Sequence, residues 1–226
     1  MGHMQATVFW MISKPSTLIK YGLLYNWYAA TDVRNICSAG WHIPTEVELD
    51  ELGAYLGGDS IAGGKLKDTG LTYWNPTNIG ATNEAGFNGR GAGYRSEVTG
   101  LFASLGAFMY FWSSDGWGTG GNRRWLQSVD AKLWGNGSGS DKKMGASIRP
   151  IKDSTTLTNG QTGTYTGNDG KVYRTICIGT QEWLADNLCE TKFRDGSTIP
   201  NVTDNATWGA LVTGALCAYD NDDNNV

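Results

Sequence analysis

Charge, proline, histidine and helical periodicity are all scarce in this sequence. Charged residues are 18% of the chain, with 18 Lys and Arg against 22 Asp and Glu, and the formal net charge of -4 removes the basic footprint of a general nucleic-acid binder. Arg123 and Arg124 are a local exception only. No apolar run reaches the roughly 18 residues that a membrane-spanning helix needs, so no membrane span is expected. The opening "MGHMQATVFWMISKP" has neither the basic leader nor the small-residue cleavage site of a signal peptide. Met1–His3 fit a tag remnant and "ATVFWMI" an edge strand, which makes 1–13 an N-terminal extension. With 2 histidines and no C-x-x-C pair among 4 cysteines, a structural zinc site is not expected. Cys37, Cys177, Cys189 and Cys217 stay open between disulfides of an exported protein and ordinary buried thiols.

What the chain has instead is 32 Gly, 10 Trp and 10 Tyr. Glycine permits irregular loops, and large aromatic side chains supply the buried area that holds such loops down. The expectation is a loop-rich α+β fold with aromatic anchors. One amphipathic helix is legible in "CSAGWHIPTEVELDELGAYLGG". Thr45 followed by Glu48 is a capping box; Leu49, Leu52 and Leu56 share a face, and Gly57 can end the helix in the left-handed region. A second, shorter helix follows "VTDN", where Thr203 or Asp204 caps a turn carrying Trp208 and Leu211. The segments "GLLYNWYAA", "AFMYFWSSD", "RRWLQSV", "GASIRPI", "KVYRTICIG" and "EWLADNL" read as short strands, the last two as a hairpin turning at Gly179 and Thr180. Between them, "STTLTNGQTGTYTGN" is a polar linker or an exposed ribbon, which divides the chain into 14–153, a linker 154–165, and 166–226.

Several ordered motifs carry a family resemblance. "YGLLYNWYAATD", "GWHIPT", "WNPTNIGATNEAGFNGRGAGYR", "FWSSD" and "ASIRPIKD" resemble the second half of the Fibrobacter succinogenes major paralogous domain, and "GNDGKVYRTICIGTQEWLADNL" with its continuation to "AYDND" resembles the first half. The resemblance implies a C-type-lectin-like fold with two short helices, small antiparallel sheets and long loops, and an extracellular or cell-surface address. It also implies that the halves stand in exchanged order. Either the domain is circularly permuted and closes within one chain, or the halves complete neighbouring chains by swapping. Intramolecular closure to a monomer is the expectation, because a flexible linker of about a dozen residues reaches roughly 20 Å. Asn225 and Val226 should then lie near Leu18–Tyr21. A chain rejoined as 166–226 followed by 20–153 should also fold.

In the same resemblance "GWHIPT" is structural, so Trp41, His42, Thr45 and Glu48 are expected to pin the helix start, with His42 bonding to backbone. The acidic tail offers Asp220, Asp222 and Asn224 at spacings resembling the start of a calcium loop, but the glycine and the distal glutamate that complete such a loop are missing, and a solvated loop is the expectation. No cofactor is expected. The loops at 113–140 hold Trp117, Asn122, Arg123, Trp134 and Asn136 among glycine and serine, aromatic platforms beside hydrogen-bonding groups that suit a glycan or protein ligand. Trp112 and Trp125 read as core strand residues. Three functions stay open: a non-enzymatic ligand-binding module, a cysteine-dependent oxidase-like enzyme similar to the formylglycine-generating enzymes that share the broad fold, and a structural protein linking chains by swapping.

Overall fold

Runs rich in aromatic and β-branched residues make most of the strands, and left-handed glycines turn the connections between successive strands at Gly106, Gly118 and Gly179. The computed structural model describes residues 20–135 and 139–226, so Asn136 and the "ATVFWMI" stretch lie outside the described residues. In chain order the elements are β1 (Leu24–Tyr25), α1 (Trp27–Ala30), β2 (Trp41–His42), α2 (Glu46–Tyr55), α3 (Asp59–Leu66), β3 (Ala92–Arg95), β4 (Phe102–Leu105), β5 (Phe108–Trp117), β6 (Gly120–Gln127), β7 (Gly139–Ser140) and β8 (Ile151–Lys152). They continue with β9 (Thr162–Thr166), β10 (Val172–Ile178), β11 (Gln181–Leu184), α4 (Asn205–Gly209) and β12 (Leu216–Cys217), and two single 3₁₀ turns, Tyr219–Asn221 and Asp223–Asn225, follow. This is a mixed α+β fold with few helices.

The strands form one five-stranded sheet in the order β2-β8-β11-β10-β9, a second in the order β4-β3-β5-β6-β7, and the pair β1-β12. Two of these join distant parts of the sequence. In the first sheet β8 lies between β2 and β11, with Ile151 opposite both His42 and Trp183. In the pair, Leu24 faces Cys217 and Tyr25 faces Leu216. Beside this pair the Tyr21 amide donates to the Asn225 carbonyl at 3.1 Å, so the end of the chain meets residue 21 of the same chain. Arg149, fully buried, fastens early and late parts of the chain together by donating to the Phe87 and Asn88 carbonyls on one side and to the Leu184 carbonyl and Asn187 Oδ1 on the other.

The α2 capping box forms as expected. Thr45 Oγ1 accepts from the Glu48 amide and Glu48 Oε2 accepts from the Thr45 amide, while Leu49 and Leu52 are buried and Gly57 ends the turn at φ 98. Asp204 caps α4, accepting from the Thr207 amide at 2.7 Å. Two departures have physical reasons. "GLLYNWYAA" is only two residues of strand, because Asn26 then accepts the Ala29 amide at 3.0 Å and starts α1. The helix α3 has no helical signal because of its paired glycines, yet Gly63 is required there: a Cβ would collide with the Lys132 carbonyl. Of the stretch 154–165, the part from Thr162 belongs to β9, an edge strand paired with β10, so this portion is a ribbon and not a tether.

Among the described residues the His42 ring does not bond to backbone. Its Nδ1 lies 2.6 Å from Asp153 Oδ1 and its Nε2 2.9 Å from Glu48 Oε1, so the imidazole bridges the α2 capping box to the residue after β8. Trp41 packs edge-on against Tyr165 of β9 at 5.0 Å between ring centres. The four cysteines are buried free thiols, and burial raises the pKa of each, to about 12 for Cys189 and Cys217.

Candidate functional site

Trp117 ends β5 with 55% of its surface exposed and has no ring or cation stacked on it among the described residues. It faces a cleft of about 720 Å³ that runs beside the edge strand β7. Tyr28 of α1 forms another wall, Gly139–Lys143 a third, and Gly209–Val212, the last residue of α4 and the three after it, the opposite lip. Residues about 90 apart in sequence therefore share one hollow, and each wall is fastened by buried groups.

Asn26, fully buried, ties α1 to the far lip. Its Nδ2 donates to the Thr213 carbonyl at 2.8 Å and its Oδ1 accepts from the Ala215 amide at 3.0 Å. Trp208, also fully buried, holds α4 against the β7 side by donating to the Lys143 carbonyl at 2.8 Å. Arg95 stacks on Trp208 at 4.4 Å and donates to the Val202 and Thr203 carbonyls, which fixes the approach to α4. Trp27 donates to the Ser113 carbonyl at 3.1 Å and lies flat where Gly121 leaves room; any Cβ at 121 would enter the indole. Its amide donates to the Lys142 carbonyl at 2.9 Å. A cleft built this way is preformed, which lowers the ordering cost of binding.

The charged lining residues are Asp141, Lys142 and Lys143. Lys143 Nζ donates to the Gly209 carbonyl at 3.1 Å and stands 3.8 Å from Asp141 Oδ2. Lys142 reaches over the Trp27 ring at 4.6 Å and has no carboxylate in ion-pair range among the described residues. Among the described residues no strand pairs with the outer side of β7, although the carbonyls that follow it, at Asp141, Lys142 and Lys143, already accept hydrogen bonds.

The sequence-predicted site residues divide. Trp117 is in the cleft, and Arg123 touches it indirectly, donating through Nε to Ser140 Oγ on the cleft wall. The rest of Arg123 belongs to a ladder on the outer face of β5 and β6, its guanidinium 4.7 Å from both the Tyr110 and Trp125 ring centres. Trp134 stacks on Trp125 at 6.0 Å with planes 7° apart, donates to Asp130 Oδ2 at 3.0 Å, and carries Lys132 over its ring at 4.6 Å. Phe108 stacks on Tyr110 at 5.4 Å and extends the row. The faces of these rings are taken by one another and by cations, leaving mainly edges toward a second, smaller hollow of about 440 Å³ lined by Trp125 and Trp134. Trp125 is thus half-buried on the outside of the sheet and not in the core, whereas Trp112 is fully buried, its Nε1 donating to the Tyr25 carbonyl. The alternation in "RRWLQ" carries that signal, since Arg124 and Leu126 point inward and oblige Arg123 and Trp125 to point outward.

Asn122 is on the inner face, 3% exposed, with its Oδ1 lacking a partner among the described residues. It cannot touch a ligand in the cleft. In the tail, Asp222 Oδ1 accepts from the Asn224 amide at 2.9 Å and from its side chain at 2.7 Å, while Asp220 has a left-handed φ of 56 within a 3₁₀ turn. Among the described residues no group of three or more His, Cys, Asp or Glu is arranged to hold a metal ion. No helix among them is long and apolar enough to cross a membrane. Tyr28, Lys142, Lys143 and the 209–212 lip escape a reading of sequence, because nothing local connects α1 with the end of α4.

Neither a curated protein nor a solved structure matches the chain. The model of the Fibrobacter succinogenes major domain matches residues 3–152, which covers α1, the β5–β6 hairpin and the β7 side of the cleft and leaves the 209–212 lip outside. With more than half of its length matched, the chain belongs to the Fibrobacter succinogenes major domain family.

Proposed function

We propose that this protein is a non-enzymatic recognition module that binds a glycan or a protein surface in the Trp117 cleft. The observation that carries the reading is an aromatic ring more than half exposed over a preformed hollow of about 720 Å³, with two lysines in its lining. An exposed tryptophan held on a fixed scaffold costs little stability to leave uncovered in this setting and supplies a large contact area when covered. Thiol chemistry has little support, since burial holds all four cysteines toward the neutral thiol and away from the nucleophilic thiolate.

The module is C-type-lectin-like, with the family's halves in exchanged order and closed within one chain. Supporting this are the Tyr21 to Asn225 hydrogen bond and the β1-β12 pair, which join the two places where the exchanged order would otherwise leave loose ends. A surface or extracellular address suits such a module.

The test is binding of the purified chain to arrays of polysaccharides and proteins, comparing wild type with Trp117→Ala and, separately, Trp134→Phe. Loss of at least about ten-fold in affinity, roughly 1.4 kcal/mol, is expected for Trp117→Ala alone. Equal binding by wild type and Trp117→Ala would refute the cleft as the site.

A further inference from the structure

We propose that the ligand of this cleft is an anionic saccharide, a sugar ring bearing a carboxylate or a sulfate. The inference rests on the cleft being the binding site and goes further by naming the chemistry it selects.

The charge arrangement at the lining leads to it. Lys143 is already engaged, with the Gly209 carbonyl at 3.1 Å and Asp141 at 3.8 Å. Asp141 is committed elsewhere too, since its Oδ1 accepts the Lys143 amide at 2.9 Å. Lys142 is left as the cation without an anionic partner among the described residues, braced by Trp27 at 4.6 Å. The lining is therefore net positive by one charge in a chain whose formal net charge is -4. A local excess of the opposite sign to the whole molecule repels neither the ligand's anion at the site nor cations elsewhere, and it selects for an anion there.

The remaining groups say what kind of anion. Trp117 presents a ring with no aromatic or cation stacked on it among the described residues, and the half-buried Tyr28 lines the same hollow, so one face of the ligand must be flat and weakly polar. Thr119 lines the hollow as well, as do Gly139 and Ser140 of β7, a strand with none on its outer side among the described residues, and their polar groups call for hydroxyls on the rim of the ligand. A pyranose ring has both, with axial C–H groups on its face and hydroxyls on its rim, and an acid group on that ring supplies the anionic partner that Lys142, in the same lining, lacks among the described residues. An extended acidic peptide would meet the lysine but offers no comparable flat face to Trp117.

The experiment is calorimetric titration of the full chain with four probes: oligogalacturonate, its fully methyl-esterified form, a sulfated galactan oligomer, and poly-glutamate. One or both anionic saccharides should bind about five-fold or more tighter than the esterified form, consistent with about 1 kcal/mol from a partly exposed ion pair. Lys142→Gln should abolish that difference while Trp117→Ala weakens every saccharide, and raising the salt should weaken the anionic probes alone. Carboxylate and sulfate are told apart by which of the two probes responds. Equal binding of esterified and acidic saccharides, with both lost in Trp117→Ala, would overturn the anionic preference and leave the cleft standing. Poly-glutamate binding unaffected by Trp117→Ala would overturn the saccharide. No binding of any saccharide would overturn the inference outright.

Discussion

His42 carries two carboxylates on one imidazole, and its protonation is set by the contest between burial and those partners. Burial lowers its pKa, but the hydrogen bonds that the ring donates to Asp153 and Glu48 outweigh burial and raise it above the ordinary 6.5. A histidine raised in the folded state contributes stability that is fully present below 6.5 and lost as pH rises through the folded value. Asp153 is more than half exposed, so solvent screens the effect and keeps it modest. Thermal midpoints measured between about pH 5 and pH 9 should show wild type losing ground to His42→Gln as the solution becomes alkaline. A difference independent of pH would show that the imidazole is not the titrating group. Thr45 and Glu48 are legible in sequence because their reciprocal bonds span three residues. Asp153 is not, because strand pairing of β2 with β8 brings it from 111 residues away.

Among the elements, α1 is four residues long and depends on Asn26 for its start and for its attachment to the 213–215 segment. Asn26→Ala removes bonds to Ala29, Thr213 and Ala215 at a fully buried position, leaving those main-chain groups without their partner. The expected cost is about 2–4 kcal/mol, read as a fall in the urea midpoint, and the cleft loses its fixed distance between Tyr28 and the far lip. A loss under about 0.5 kcal/mol would mean that water replaces the side chain without penalty. The strands of the hairpins were legible from composition and turn residues. The helix α3 was not, because its glycines satisfy a close approach to Lys132 that only the tertiary fold creates. The ladder of Tyr110, Arg123, Trp125 and Trp134 was half legible: the residue types stood out, but their π faces are turned toward one another and toward cations, and that emerges only from the register of β5 on β6.

For the whole molecule, the proposed exchange of halves makes a prediction that the fold sharpens. Starting a rejoined chain at 166 would discard most of β9 together with Tyr165, which is 1% exposed, accepts the Ser38 amide at 3.1 Å and packs on Trp41. That version should be destabilised by about 3 kcal/mol or more, the usual cost of losing a buried aromatic. Starting at 154 instead, with 226 joined to 20 through a short loop and the chain ending at 153, keeps β9 and should fold to within about 1 kcal/mol of the parent. Chemical denaturation of the two versions decides it, and equal stability would mean that β9 contributes nothing to the core. The meeting of Tyr21 with Asn225 also has a mechanical consequence. In the antiparallel pair β1-β12 the hydrogen bonds lie across the strands, so tension applied at residues 20 and 226 pulls along those bonds from the open end. The rungs at Leu24–Cys217 and Tyr25–Leu216 then bear the load one after another and not together, and the molecule gives way by peeling from its joined ends inward.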